Sequence, residues 1–308
     1  MQLIVTAEKL NKRNSVPVSF TDNNIVGVVL QGFRFEGEEV ATVPDTVTGK
    51  WYKDGNDSFY WGGGLSVENN NIAPMPAVSF RNIIQSGNGK LIMNLPPGFI
   101  LGTDVSHHNG DADWKAIVNA GNRFAFIKIT EGVGTPDAMA KANAQNARNI
   151  GLKIGYYHFC HPDTKTGGTV ADDANAEADE ALKRISANLL PPDLPLVMDL
   201  EDEAGWDSPL NKHDYLTWIQ TFIDRVKNST GHEPMIYSRK DYLDGKLPAD
   251  HHLGIYKLWL ANYSQTDCTK LACPAGWNDW AIWQFSESAS IGGNPKLDLN
   301  ILKDTTLI

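Results

Sequence analysis

The chain has 308 residues, 42% hydrophobic and 21% charged, the proportions of a globular protein long enough for two domains or one large one. Its formal net charge is −10; residues 1–98 hold 8 basic and 9 acidic side chains, so −9 of the excess lies beyond them. That balance argues against nucleic acid as a partner, whose phosphates call for a basic face, and no run of 18 apolar residues is present to span a membrane.

The first stretch, MQLIVTAEKLNKRN, has a short apolar patch and then charges, without the regions of a secretory leader. The expectation is a protein that stays in the cytoplasm, leaves by another route, or has lost its leader. Residues 1–67 read as all-β. Short runs rich in β-formers (LIVTA, PVSF, IVGVVL, KWYK, SFYWGGGL) are broken by Asn, Asp, Pro and Gly, and suggest a small barrel. Residues 68–98 read as a linker carrying a stray hairpin, with the domain boundary near Pro96–Gly98.

From Phe99 to Ile308 strand and helix patterns alternate. Strands are predicted at ILGTDVS, FAFIKIT, KIGYYHFC, LPLVMDL, PMIYS, KLWLANY and WAIWQFS. Between them PDAMAKANAQNARNIG has Pro near its start and ends in Gly151; ADDANAEADEALKRISANL has acids early and bases late. KHDYLTWIQTFIDRVKNSTG sets Leu216, Ile219, Phe222, Ile223 and Val226 on one face. The fold class is therefore α/β: a parallel sheet closed into an irregular (β/α) barrel, short of helices, behind a small all-β barrel.

The strand LPLVMDLE ends in Asp199 and Glu201, two acids one residue apart. Side chains two apart on a strand share a face, and barrels of this kind work at the C-terminal ends of their strands. Asp104 in GTDVSHHN is at a second strand end, and Asp298 lies in KLDLN. A strand-end acid can be a helix cap or an ion-pair partner. It can also belong to a metal site, for which His107, His108 and His158 are available. A carboxylate pair suits glycoside hydrolysis, because one acid can hold a proton for the leaving oxygen while the other stays ionised. In that reading Glu201 is the acid and Asp199 its ionised partner.

Aromatic residues fall at or near the same strand ends: Trp259, Tyr263, Trp280, Trp283, Tyr157 and Tyr237. Their flat apolar faces suit pyranose rings, although each alone can equally fill the barrel. Of three cysteines, Cys160 reads as a core residue, while Cys268 and Cys273 share a loop and could pair. With no CxxC motif or clustered histidine beside them, a zinc site is not expected.

The motifs GTDVSHHNG, FAFIKITEG, GYYHF, MDLE, WLANY and WQF, in this order and spacing over about residues 99–303, resemble the glycoside hydrolase family 25 lysozymes, the Chalaropsis-type N-acetylmuramidases. The resemblance implies a flattened β/α barrel that hydrolyses the β-1,4 bond between N-acetylmuramic acid and N-acetylglucosamine in peptidoglycan. It implies that Glu201 is the proton donor, and that Asp199 assists the substrate's own 2-acetamido group or stabilises the ring cation. Asp104 and Asp298 are implied to line the cleft; Tyr157, Tyr237, Trp259, Tyr263, Trp283 and Gln284 to bind substrate; and Glu131 to support them. No cofactor or metal is expected, and the protein is expected to act as a monomer on the cell wall, in the periplasm or outside the cell. Without a leader, release through a membrane pore fits, as for an endolysin; so does a wall-remodelling enzyme whose leader is gone.

The N-terminal region resembles a bacterial SH3-like domain through LNKRN, IVGVVLQGFRFE and GKWYKDGNDSFYWGGGL, which implies binding of cell-wall peptides. The Ser-Gly-Pro that follows the Arg in that family is absent and Ser15–Asn24 is irregular, so a packing domain without a ligand stands beside that reading. A chitinase-like barrel needs the pattern D-x-x-D-x-D-x-E, and Val197 and Leu194 stand where its acids belong. The remaining alternative is a non-catalytic cell-wall-binding protein on a hydrolase scaffold.

Overall fold

The computed structural model describes residues 1–18, 24–30, 33–44, 49–67, 83–85, 89, 91–203 and 206–308. The chain divides into two compact units, Met1–Ala77 and Val78–Ile308.

The first unit holds strands β1 (Gln2–Val5), β2 (Lys9–Arg13), β3 (Ile25–Leu30), β4 (Arg34–Glu39), β5 (Trp51–Asp54), β6 (Phe59–Trp61) and β7 (Leu65–Val67). They form one antiparallel sheet in the order β3-β2-β6-β5-β4-β1-β7. Leu3, Val5, Leu10, Phe35, Tyr52 and Tyr60 form its core. The β5–β6 turn is fixed by Asp54, whose carboxylate accepts from the backbone N–H of Asn56 and Ser58 and from the Tyr60 hydroxyl, each at 2.9 Å. Two expectations touch residues outside those described: the irregular interval Ser15–Asn24 (at 19–23) and much of the linker (at 68–82, 86–88 and 90). The described remainder of that linker is not free chain. Strands β8 (Ile83–Gln85) and β9 (Leu91–Met93) pair as a hairpin, Ile92 and Leu95 are buried in the core of the second unit, and Met93 N–H donates to the Thr266 carbonyl at 2.6 Å. The apolar residues inside a Pro- and Gly-rich stretch found a place to bury.

In the second unit β10 (Ile100–Val105), β11 (Asn122–Glu131), β13 (Lys153–Phe159), β14 (Val197–Asp199), β15 (Met235–Arg239), β16 (Leu258–Ala261) and β17 (Ile282–Ile291) run parallel in that order, with the two-residue β12 (Thr135–Pro136) on the end of β11. All seven predicted strands are present. The eighth, β18 (Asn294–Leu302), returns antiparallel between β17 and β10 and closes the barrel. The alternation pattern had implied a parallel sheet; Gly292 and Gly293 make β17–β18 a hairpin instead, with Gly292 at φ +58°.

Helices α1 (Trp114–Asn119), α2 (Ala140–Asn149), α3 (Val170–Asn188), α4 (Lys212–Thr230) and α5 (Lys240–Lys246) cover the outside. The helix expected to start near Pro136 begins at Ala140, because Pro136 pairs with Thr130 in β12. Helix α4 starts at Asn211, which accepts from the N–H groups of His213 and Asp214, and stops at Gly231 in the left-handed region. Its buried face includes Tyr215 and Trp218 besides Ile219, Phe222, Ile223 and Val226, while Leu216 is only half-buried.

Alternation along the strands splits the core in two. Phe124, Phe126, Val197, Met235, Tyr237, Trp259 and Ile282 fill the barrel, whereas Ala125, Ile127, Tyr156, Met198, Ile236, Leu260 and Trp283 face the helices. The barrel is packed so tightly that a Cβ at Gly155 would meet the Phe126 ring at 2.3 Å.

Candidate active site

The inward-facing positions continue past the apolar plug to the C-terminal ends of the strands, where the residue types turn polar. Asp104, Lys128, Tyr157, Asp199, Tyr237, Trp259 and Gln284 follow in this way, and Asp298 stands directly across from Asp104 on β18. With Ser106, His108, Asn109, Phe159, Glu201, Glu203 and Lys296 they line a cleft of about 230 Å³. A larger depression of about 980 Å³ lies at the other end of β14, around Pro192–Leu196. Its Asp193 is engaged by Arg148 at 2.8 Å, and it holds no comparable group of carboxylates.

The end of β14 is latched on both sides. Cys160 N–H donates to the Asp199 carbonyl at 2.9 Å, Leu200 N–H to the Tyr237 carbonyl at 3.0 Å, and Ser238 Oγ to the Leu200 carbonyl at 2.6 Å. These bonds fix the backbone between the two acids. Asp199 is buried, and its Oδ1 has no hydrogen-bond partner among the described residues. Burial pushes its carboxyl well above the usual range, the Glu201 charge adds to this, and the Lys128 ammonium opposes it. Glu201 is half-buried. Burial also pushes its carboxyl up, to about 7, against the pull of Arg239 and with help from Asp104, Asp202 and Glu203.

Asp104 is the best-held acid. It accepts from Gln284 Nε2 at 3.1 and 3.0 Å and from Asn300 Nδ2 at 2.7 Å; burial raises its carboxyl while these bonds draw it down. Asp298 is raised well above the usual range by burial and then by the Asp104 charge. Gln284 Oε1 accepts from both the Tyr237 and Tyr263 hydroxyls at 2.7 Å. Trp259 donates from Nε1 to Asn300 Oδ1 at 2.8 Å, and its ring lies 4.7 Å from that of Phe126 and 4.9 Å from that of Tyr237.

The structure thus gathers Asp104, Asp199, Glu201, Asp298, Tyr157, Tyr237, Trp259 and Gln284 on one cleft, with Tyr263 joined through its hydroxyl. Trp283 is a correction. It is fully buried on the helix side of β17 and donates from Nε1 to the Asn262 carbonyl at 2.9 Å. One residue from Gln284 along a strand, it must face the opposite way. Trp280 likewise belongs to the outer core, with Lys303 Nζ 4.3 Å from its ring centroid. Glu131 is tied to Lys128 at 2.7 Å. Lys128, Asn109, Lys296 and Asn300 are cleft or near-cleft residues that pattern reading missed; Lys128 and Asn300 did carry a signal, each being two residues along a strand from another inward residue.

Among the described residues two trios bring possible metal ligands within 4.8 Å: Glu131, His161 and Glu203, and the buried His158, Cys160 and Glu177. In the first, Lys128 already holds Glu131; in the second, Glu177 is occupied by His158 Nε2 at 2.8 Å and by the His161 N–H. Cys268 and Cys273, which could have paired, are both free. No helix among the described residues is long and apolar enough to cross a membrane.

Residues 103–294 match the model of the glycosyl hydrolases family 25. The chain is 30% identical over 197 residues to Lysozyme M1 of Streptomyces globisporus, covering 63% of this chain and 64% of that protein, so it spans just under two thirds of that relative. It is 30% identical over 204 residues to the N,O-diacetylmuramidase of a Chalaropsis species, covering 63% of this chain and 92% of that one. The crystal structure of the bacterial lysozyme from Streptomyces coelicolor superposes with a TM-score of 0.58 at 27% identity, over 68% of this chain and 94% of that chain. Asp104, Asp199 and Glu201 of the cleft lie inside the matched region and Asp298 just beyond it, and the chain belongs to glycosyl hydrolase family 25.

Proposed function

We propose that the barrel is a muramidase that hydrolyses the β-1,4 bond between N-acetylmuramic acid and N-acetylglucosamine in peptidoglycan, with Glu201 as general acid and Asp199 as its anionic partner. One observation carries this reading: a half-buried Glu201, its carboxyl pushed up to about 7, shares a cleft with Asp199, whose buried Oδ1 has no partner among the described residues. Burial raises both carboxyls, so the two acids titrate as a pair. Burial and the Glu201 charge raise Asp199 while the Lys128 ammonium draws it down; in the proposed assignment Glu201, the more open of the two, carries the proton to the substrate.

The protonated Glu201 donates to the glycosidic oxygen as that bond breaks, a step worth roughly 10²–10⁴ in rate. The ionised Asp199 holds the substrate acetamido group against the anomeric carbon or offsets positive charge on the ring. Asp104, fixed by Gln284 and Asn300, and Asp298 on the opposite strand shape the wall of the cleft. The test is digestion of purified peptidoglycan followed by borohydride reduction of the new ends. Muramitol is the expected product; glucosaminitol would overturn the bond assignment.

We propose further that the Met1–Ala77 unit is an SH3-like domain that holds the enzyme on the wall, raising its local concentration. Supporting this is a depression of about 330 Å³ lined by Leu10, Arg13, Pro17, Trp51 and Trp61, with aromatic and cationic groups suited to a peptide. Trp61→Ala in the full chain should reduce co-sedimentation with cell walls; unchanged sedimentation would count against the tether. On these readings the protein acts at the cell wall, outside the membrane.

A further inference from the structure

The cleft has an electrostatic problem. Asp104, Asp199, Glu201, Glu203 and Asp298 all line it, yet the muramyl sugars of peptidoglycan carry carboxylates, on the lactyl ether or on the stem peptide. Only two lysines line the same cleft among the described residues. Lys128 is already paired with Glu131 at 2.7 Å. The Lys296 ammonium makes no ion pair or hydrogen bond with a described residue.

Lys296 is also placed by an irregularity, one of three register shifts along the β17–β18 pair. Ala289 pairs with Leu297 and Ile291 with Asn294, so Pro295 and Lys296 on β18 face the single Ser290 on β17. That is a β-bulge, a device that re-aims a side chain. Lys296 sits in it at φ +55°, a backbone conformation unfavourable for a side chain with a Cβ. Asn109 clamps it there, donating from Nδ2 to the Lys296 carbonyl at 3.3 Å while its Oδ1 accepts the Ser106 N–H at 2.9 Å. The turn after β10 thereby holds the bulge against the rim of the cleft.

Resting on the muramidase reading, we infer that Lys296 is a specificity residue that recognises a carboxylate on the muramyl side of the substrate. The bulge and its Asn109 clamp present the one cleft lysine without an ion-pair partner among the described residues to an anionic substituent that the acidic walls would otherwise repel. The carboxylate belongs either to a free lactyl group or to the stem peptide, and the two are separable with defined substrates.

The experiment compares kcat/KM on four glycan substrates. Two are strands stripped of peptide, with lactyl carboxylates free or coupled to methylamine; two are peptide-bearing strands with peptide carboxylates free or amidated. The wild type should prefer the charged member of a pair by roughly three- to tenfold, the scale of a partly exposed ion pair. Preference within the stripped pair identifies the lactyl group, and within the peptide pair the stem. Lys296→Gly, which suits a positive φ and removes the side chain with its cation, should erase the preference, bringing the rates on the charged and neutral members of a pair together. Lys296→Arg should retain it. The inference is overturned if Lys296→Gly discriminates like the wild type, or loses equally on charged and neutral strands. A wild type that cuts every strand without preference sinks this inference and leaves the muramidase reading standing; one that cuts none sinks both.

Discussion

The Gln284 side-chain amide joins Asp104 to two tyrosines across the mouth of the barrel. Its Nε2 lies 3.1 and 3.0 Å from the Asp104 carboxylate oxygens, and its Oε1 accepts the hydroxyls of Tyr237 and Tyr263 at 2.7 Å. Asp104, Tyr237 and Gln284 are buried, so every member depends on the others for its hydrogen bonds. Gln284→Leu keeps the volume and removes the bonds, stranding the Tyr237 hydroxyl and part of the Asp104 carboxylate. The expected cost is about 2–4 kcal/mol in urea unfolding, with a loss of activity that addition of substrate does not restore. A change below about 0.5 kcal/mol would mean that the network does not hold the site.

Glu201→Gln should leave the fold intact and lower turnover by at least about 10²-fold, since a neutral amide has no proton of suitable acidity to give. The same variant should be more stable than the wild type at alkaline pH. Folding raises the Glu201 carboxyl to about 7, so the native state holds a proton there that the unfolded chain has released. Stability from this group is fully present below the ordinary Glu range and is lost as pH rises towards 7. The stability gain of Glu201→Gln over wild type should therefore grow by something on the order of 2–3 kcal/mol between pH 4 and pH 8. A constant difference across that range would show that the site does not perturb Glu201.

Arg239 tunes that acid from outside the cleft. It pairs with Asp202 at 2.6 Å and draws the Glu201 carboxyl downward. Arg239→Gln removes the cation and also bares the Asp202 charge, and both changes favour protonated Glu201. The alkaline limb of the kcat profile should move to higher pH, while Lys227→Gln, in a remote pair with Glu233, should leave it in place. A shift to lower pH would reverse the assignment of Glu201 as the acid.

Much of this was legible in the sequence because the signals were local. Seven apolar runs between helix patterns fixed the strands, and D-x-E at the end of one of them located the acids. What escaped depended on register or on long-range pairing. Trp283 looked like a cleft aromatic until the direction of Gln284 fixed its neighbour's. The antiparallel return of β18 could not be read from strand–helix alternation, since only the hairpin after Ile291 shows it. Ile92 and Leu95 lie among turn residues and are core only because a hairpin folds back onto the second unit. Lys296 is invisible to pattern reading, because a bulge breaks the very period on which such reading rests.

The glycine of GYYHF offers a test of why a motif can need a residue with no chemistry. Gly155 faces into the barrel on β13, where a Cβ would lie 2.3 Å from the Phe126 ring and 2.9 Å from the Leu194 Cβ. Phe126 cannot retreat, since Trp259 packs on it at 4.7 Å and Phe124 stands edge-on at 6.0 Å. Gly155→Ala must therefore push β13 outward or force Phe126 from its rotamer, at a cost of about 1–3 kcal/mol. Tyr157 is carried on β13 and Trp259 packs against Phe126, so activity should fall more than the lost stability alone explains. Gly151→Ala serves as the comparison: its Cβ would meet nothing, but φ is +90°, so it should cost stability through the backbone and leave the turnover of folded enzyme unchanged. Equal effects of the two variants on turnover would show that packing beneath the cleft does not set its geometry.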